Sequence, residues 1–161
     1  MIIVSDTSPL NYLVLVHAID VLPRLFERVY VPTAVINELS HARAPAVVRR
    51  WVSSIPPWLH VQRPSLILPA AADLGAGEAG ALALAKELNV TTLLIDEKKG
   101  RRVAREQGFT PVGTLAVLEF AASLGHVDLP STLFALKQTS FQITQTLIDD
   151  ALMRHAARMK H

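Results

Sequence analysis

The chain has no cysteine among its 161 residues, which excludes disulfides, thiol nucleophiles and cysteine-ligated metal sites. Aromatic residues make up only 6%, so any core must be filled by Leu, Val, Ile and Ala. Charge is also scarce, at 19% against 50% hydrophobic, with a mean hydropathy of +0.31. Those proportions exclude a disordered chain. A long apolar run is missing as well. The stretch from Thr7 to Ile19 has no acid, lysine or arginine, but it holds Pro9 and Asn11 and falls short of the roughly 20 apolar residues that span a bilayer. No basic segment precedes the first apolar run and Asp6 interrupts it, so no secretory leader is expected. The expectation is a cytoplasmic protein without membrane contact. A formal net charge of +2 and a pI near 9.2 weakly favour an anionic partner.

The length fits one domain over residues 1–161. Apolar strand candidates alternate with helix candidates along it. Ile2 to Ser5 ends at Asp6, Val29 to Val31 at Pro32, Leu59 to Val61 in a proline-rich segment, Thr92 to Ile95 at Asp96, and Phe109 to Val112 at Gly113. Between them, Ser8-Pro9 reads as an N-cap followed by a first-turn proline. Leu10 to Phe26 reads as two short helices interrupted near Pro23, and further helices are expected after Pro32 and over 44–54, 78–88, 99–107 and 114–124. Residues 56–69 hold four prolines and read as a connection or flap, and 130–161 as a C-terminal helical extension of two helices. Such alternation implies an α/β fold: a three-layer α/β/α sandwich around a central parallel sheet of four or five strands.

In an open α/β sheet the carboxyl ends of the strands line the ligand crevice. Asp6 and Asp96 each follow an apolar strand, and Glu38 and Glu78 fall on helices flanking those strands. Each acid alone has an ordinary explanation: Asp6 a turn, Glu78 the favourable dipole of a helix start, Glu38 a solvated helix face, Asp96 a surface turn. Together they are harder to explain that way. Two unit charges about 4 Å apart repel by roughly 4 kcal/mol at an effective dielectric near 20, so such a cluster calls for a cation. All-oxygen donors suit Mg²⁺ or Mn²⁺, and either ion could activate water and neutralise a phosphodiester. Zinc is disfavoured because the six histidines show no close ligand spacing. Nothing resembles the symmetric acid pair of an aspartic protease, and the acidic pair, central aspartate and late lysine of a phosphotransfer receiver cannot be placed. Lys98, Lys99, Arg101 and Arg102 begin just after Asp96 and are candidate contacts to a nucleic-acid backbone.

Five segments in order carry a resemblance: Ser5-Asp6-Thr7-Ser8-Pro9-Leu10, Val35-Ile36-Asn37-Glu38-Leu39, Gly77-Glu78-Ala79-Gly80-Ala81-Leu82-Ala83-Leu84-Ala85, Leu94-Ile95-Asp96-Glu97 and Gly100-Arg101-Arg102-Val103-Ala104. Together they resemble a PIN domain, over nearly the whole chain, and look like its prokaryotic nucleic-acid-binding branch. The resemblance implies a metal-dependent ribonuclease that hydrolyses RNA, commonly a toxin similar to VapC-type proteins. It implies Mg²⁺ or Mn²⁺ held by Asp6, Glu38, Glu78 and Asp96 as catalytic and metal-binding acids, with Thr7 or Ser8 as the polar support. It also implies a homodimer and a cognate antitoxin partner. The Thr-x-Asp pattern common at the family's last acid is absent, so that role falls to Asp96, to Glu97 or to both. A PIN-like module that binds RNA or protein with little turnover is the alternative.

Overall fold

β-branched and leucine-rich runs form the strands, with the central ones buried on both faces and the edge strands partly exposed. Ile2–Ser5 forms β1, Arg28–Pro32 β2, Leu59–Gln62 β3, Thr92–Leu94 β4 and Thr110–Val112 β5. The computed structural model describes residues 1–160. All four strand pairings are parallel and the order across the sheet is β3-β2-β1-β4-β5. Each strand therefore needs a crossover, and helices cover both faces.

Alternate residues divide between two cores. Ile3, Val29, Val31 and Leu94 pack with α1 (Thr7–Leu15), α3 (Thr33–Leu39), α4 (Ala46–Val52) and α7 (Thr114–Ser123). Val4, Leu93 and Ile95 pack on the opposite side with α5 (Ala76–Glu87) and α6 (Lys98–Glu106). This is a three-layer α/β/α fold. The C-terminal helices α8 (Leu129–Lys137) and α9 (Gln145–Met159) join the first core through Leu129, Leu133, Leu136, Ile148 and Ala151. No helix among the described residues is long and apolar enough to cross a membrane.

Two local expectations are corrected. Helix α1 starts at Thr7 with Asp6 in the N-cap position, not at Ser8-Pro9. Pro9 is its third residue, where a missing N–H breaks no bond because the first four helical N–H groups have no partner within the helix. The break in residues 10–26 is also not at Pro23. It lies at Val16–Ala18, where His17 adopts a positive φ of 59°, and Pro23 sits inside the short helix α2 (Leu22–Leu25), which a 3₁₀ turn over Ile19–Val21 precedes. Gly108 and Gly125 terminate α6 and α7 as expected, at φ of 86° and 78°, a conformation that glycine adopts without penalty.

The order of the strands fixes where a ligand can bind. From β1 the chain moves one way to β2 and β3, and later returns to the other side of β1 as β4 and β5. The topological switch point lies between β1 and β4, and a crevice opens there at their carboxyl ends.

Candidate active site

Asp6 and Asp96 stand on either side of that crevice. The Asp6 backbone N–H donates to the Leu94 carbonyl at 2.8 Å, carrying the β1–β4 ladder one residue past β1. Ile95 likewise extends β4 by donating its N–H to the Val112 carbonyl at 2.9 Å. These two bonds deliver both acids to the same edge.

A cavity of about 640 Å³ opens over them. Asp6, Thr7, Ser8, Glu38, Glu78, Asp96, Glu97 and Lys98, all singled out from sequence, line this one space. Its walls also include Asn11 and Tyr12 from α1, Gly75, and Ser140, Phe141 and Gln142 from the segment joining α8 to α9. Sequence reasoning missed these. Tyr12 was within reach, since it follows Ser8 by four residues and so shares its helix face. Ser140 was not, because its contact with Tyr12 Oη, at 2.9 Å, spans 128 residues. The rings of Tyr12 and Phe141 meet edge-on at 4.9 Å beside it.

The acids divide by how far their oxygens are already engaged. Asp96 is the most engaged: Oδ1 accepts from the Thr114 backbone N–H at 2.7 Å, and Oδ2 accepts from Thr114 Oγ1 at 2.7 Å and Ser8 Oγ at 2.8 Å. It thus joins the start of α1 to the N-terminus of α7, where a carboxylate is favoured by the helix dipole. Glu38 accepts from the Gly77 backbone N–H at 3.0 Å and from the Thr7 hydroxyl. Asp6 Oδ1 and Glu78 Oε2, by contrast, are buried oxygens with no hydrogen-bond partner. Such orphans are rare in folded proteins and point to a missing ligand.

The electrostatics agree. Burial, first of all, pushes the Asp6 carboxyl up to about 7; the Thr7 backbone N–H acts in the opposite sense, and the charges of Glu78, Glu38 and Asp96 raise it further. The Glu78 carboxyl is also raised, by burial and then by the charges of Glu97 and Glu38, against the Gly75 backbone and Lys99. Two glycines leave room for the acids. A Cβ on Gly77 would meet Glu38 Oε2 at 2.5 Å, Thr7 Oγ1 at 2.9 Å and Asp6 Oδ1 at 3.0 Å, and one on Gly100 would overlap Glu78 Oε2.

A hard divalent cation fits this donor set: the donors are all oxygen, two of them lack partners, and the backbone is cut back around them. The acids ring the cavity without converging. Among the described residues no three carboxylate or imidazole side chains lie close enough together to hold an ion between them.

The basic residues of α6 separate. Lys98 lines the cavity. Lys99 Nζ donates to the Asp73 carbonyl at 3.3 Å, and Arg101 folds back so that its guanidinium donates to the Ile95 carbonyl at 3.0 Å. Arg102 is exposed on the helix surface. Arg101 therefore braces the end of β4, directly beneath the Asp96 turn.

An all-parallel sheet of this order, with acids gathered at its switch point, defines an α/β protein with an acidic crevice at the carboxyl ends of its central strands. A family model described as a PIN domain, DUF3368, matches residues 2–157, and the chain belongs to that family. PIN domains are generally nucleases and typically use divalent metal ions. Comparison with curated proteins and with solved structures returns no match.

Proposed function

We propose that this protein is a Mg²⁺- or Mn²⁺-dependent endoribonuclease that hydrolyses RNA phosphodiester bonds. The observation that carries the reading is the buried, unpartnered Oδ1 of Asp6 at the switch point, facing a cavity lined by four further acids, Glu38, Glu78, Asp96 and Glu97. Asp6, Glu38, Glu78 and Asp96, with Glu97 on the same wall, would hold the cation directly or through water, since they ring the cavity without converging on one point. When bound, the cation supplies charge neutralisation for the phosphate and activation of water.

The side chains of this protein do the rest. Thr7 fixes the Glu38 carboxylate, and Asp96 fixes the turn from which Glu97 projects. Lys98 at the cavity wall draws in the anionic backbone, with Lys99 and Arg102 adding positive potential on α6. In hydrolysis a water oxygen bonds to phosphorus, the bond from phosphorus to one ribose oxygen breaks, and the leaving oxygen takes up a proton. Family membership further supports a role as the toxin of a type II toxin–antitoxin pair: a cytoplasmic, single-domain homodimer neutralised by a cognate antitoxin.

Purified protein incubated with RNA and Mn²⁺ tests this. Cleavage is expected that both a chelator and Asp6→Asn abolish; activity surviving both treatments would overturn the mechanism. The non-convergence of the acids favours a second reading, a PIN-like module that binds RNA or protein with little turnover. Cleavage at a rate independent of metal and of Asp6 would fit neither.

A further inference from the structure

A second cavity, of about 500 Å³, adjoins the first and shares Thr7, Asn11 and Glu38 with it as a common wall. It lies between α1, α3 and the turn that follows α3, and Ala76 at the start of α5 closes one end. Its character differs from that of the acid pocket. Ala34, Leu39, Ala44, Pro45 and Ala76 give the lining an apolar part, and Glu38, shared with the acid pocket, is its only acid. Polar groups gather at the exposed edge: Asn37, His41 and Arg43. The Arg43 backbone N–H donates to His41 Nδ1 at 3.0 Å, which makes Nδ1 the acceptor and leaves Nε2–H as the donor in the neutral ring.

We propose that this second cavity is a nucleobase subsite, taking a base of the single-stranded nucleic acid whose phosphate occupies the acid pocket. The inference rests on the nuclease reading for its choice of ligand. Its grounds are continuity and chemistry. A strand engaged at the acids must leave across one of their walls, and the Thr7–Glu38 wall leads directly into this space. A planar base needs an apolar slot with a few placed hydrogen-bonding groups. Asn37 offers both a donor and an acceptor to a base edge, and His41 Nε2–H offers a donor. The Arg43 guanidinium at the edge favours an anionic ligand over a neutral apolar peptide. On single strands base edges are free to be read in this way.

Binding can be read apart from turnover in the wild-type protein with Ca²⁺, a hard cation that takes the same oxygen donors, in place of Mn²⁺. The probes are fluorescent hexanucleotides of A, C, G or U and a fully abasic hexamer of the same charge, compared by anisotropy. At least one base-bearing hexamer should bind about fivefold or more tighter than the abasic one, roughly the effect of one base-edge contact. Ala44→Trp, which fills the slot from a surface turn, and Asn37→Ala should each reduce that advantage while leaving abasic binding unchanged. Equal binding of all hexamers would overturn the subsite, as would an advantage that survives both substitutions. So would Ala44→Trp weakening the abasic probe as much as the others. The two readings separate cleanly. Base-dependent binding without cleavage by the wild type in Mn²⁺ would overturn the nuclease reading alone, and cleavage without base dependence would overturn the subsite alone.

Discussion

Burial holds the Asp6 carboxyl at about 7 in the metal-free protein, so it keeps a proton that a solvated aspartate would already have lost. The unfolded chain ionises near 3.8. The folded state binds the proton more tightly, so this contribution to stability is fully present below about 4 and is lost as pH rises through about 7. It amounts to at most about 4 kcal/mol. Metal-free wild-type protein should therefore lose stability between pH 5 and 8 in urea titrations. Asp6→Asn, which cannot ionise, should flatten that loss and be the more stable protein at pH 8. If the two proteins follow the same pH profile, Asp6 is not the strained group. Gly77 tests the same spot sterically. Gly77→Ala inserts a methyl among Glu38, Thr7 and Asp6. It should cost about 1–3 kcal/mol in urea, the usual range for overpacking, and should abolish the thermal stabilisation that Mn²⁺ gives the wild type. An alanine variant that Mn²⁺ still stabilises normally would show that the glycine does not shape the site.

Among the elements, α9 adds one well-formed ion pair to the apolar contacts of Ile148 and Ala151. Glu119 on α7 is only 7% exposed, and Arg154 grips it with two bonds, Nε to Oε1 at 2.9 Å and Nη2 to Oε2 at 3.0 Å, while Arg158 approaches at 3.8 Å. Removing the arginine leaves a buried carboxylate without its partner. Arg154→Met should accordingly speed amide hydrogen exchange in Gln145–Met159 and leave β1 and β4 unchanged; unchanged exchange in α9 would mean that the pair contributes nothing. The elements also show what was legible in advance. All five strands could be located from apolar runs bounded by Pro, Gly or Asp, and Gly108 and Gly125 marked two helix ends correctly. The start of α1 was misplaced because Ser-Pro is a strong local cap signal, and it was outweighed by Asp6, which passes from strand to helix without a loop. His17 carried no sequence sign of its positive φ. The four acids could be grouped because they follow strands or flank them. Their division into engaged and orphaned oxygens could not, since Asp96 depends on Thr114 and on Ser8, the latter 88 residues away.

At the scale of the whole molecule, one topological fact organises the chemistry. Because the chain switches direction at β1, its first strand-end acid and the acid after β4 meet at a single crevice, and α3 and α5 bring Glu38 and Glu78 to its sides. Burial and neighbouring charges raise the Asp6 and Glu78 carboxyls, and Gly77 and Gly100 leave room for the acids. The central claim is thus that this cavity is a divalent-cation site built on Asp6. Calorimetric titration of Mn²⁺ into metal-free wild-type protein and into Asp6→Asn at pH 7.5 tests it most directly. Saturable binding to the wild type that is lost in Asp6→Asn is the expected result. No binding to the wild type, or equal binding to both proteins, would contradict it.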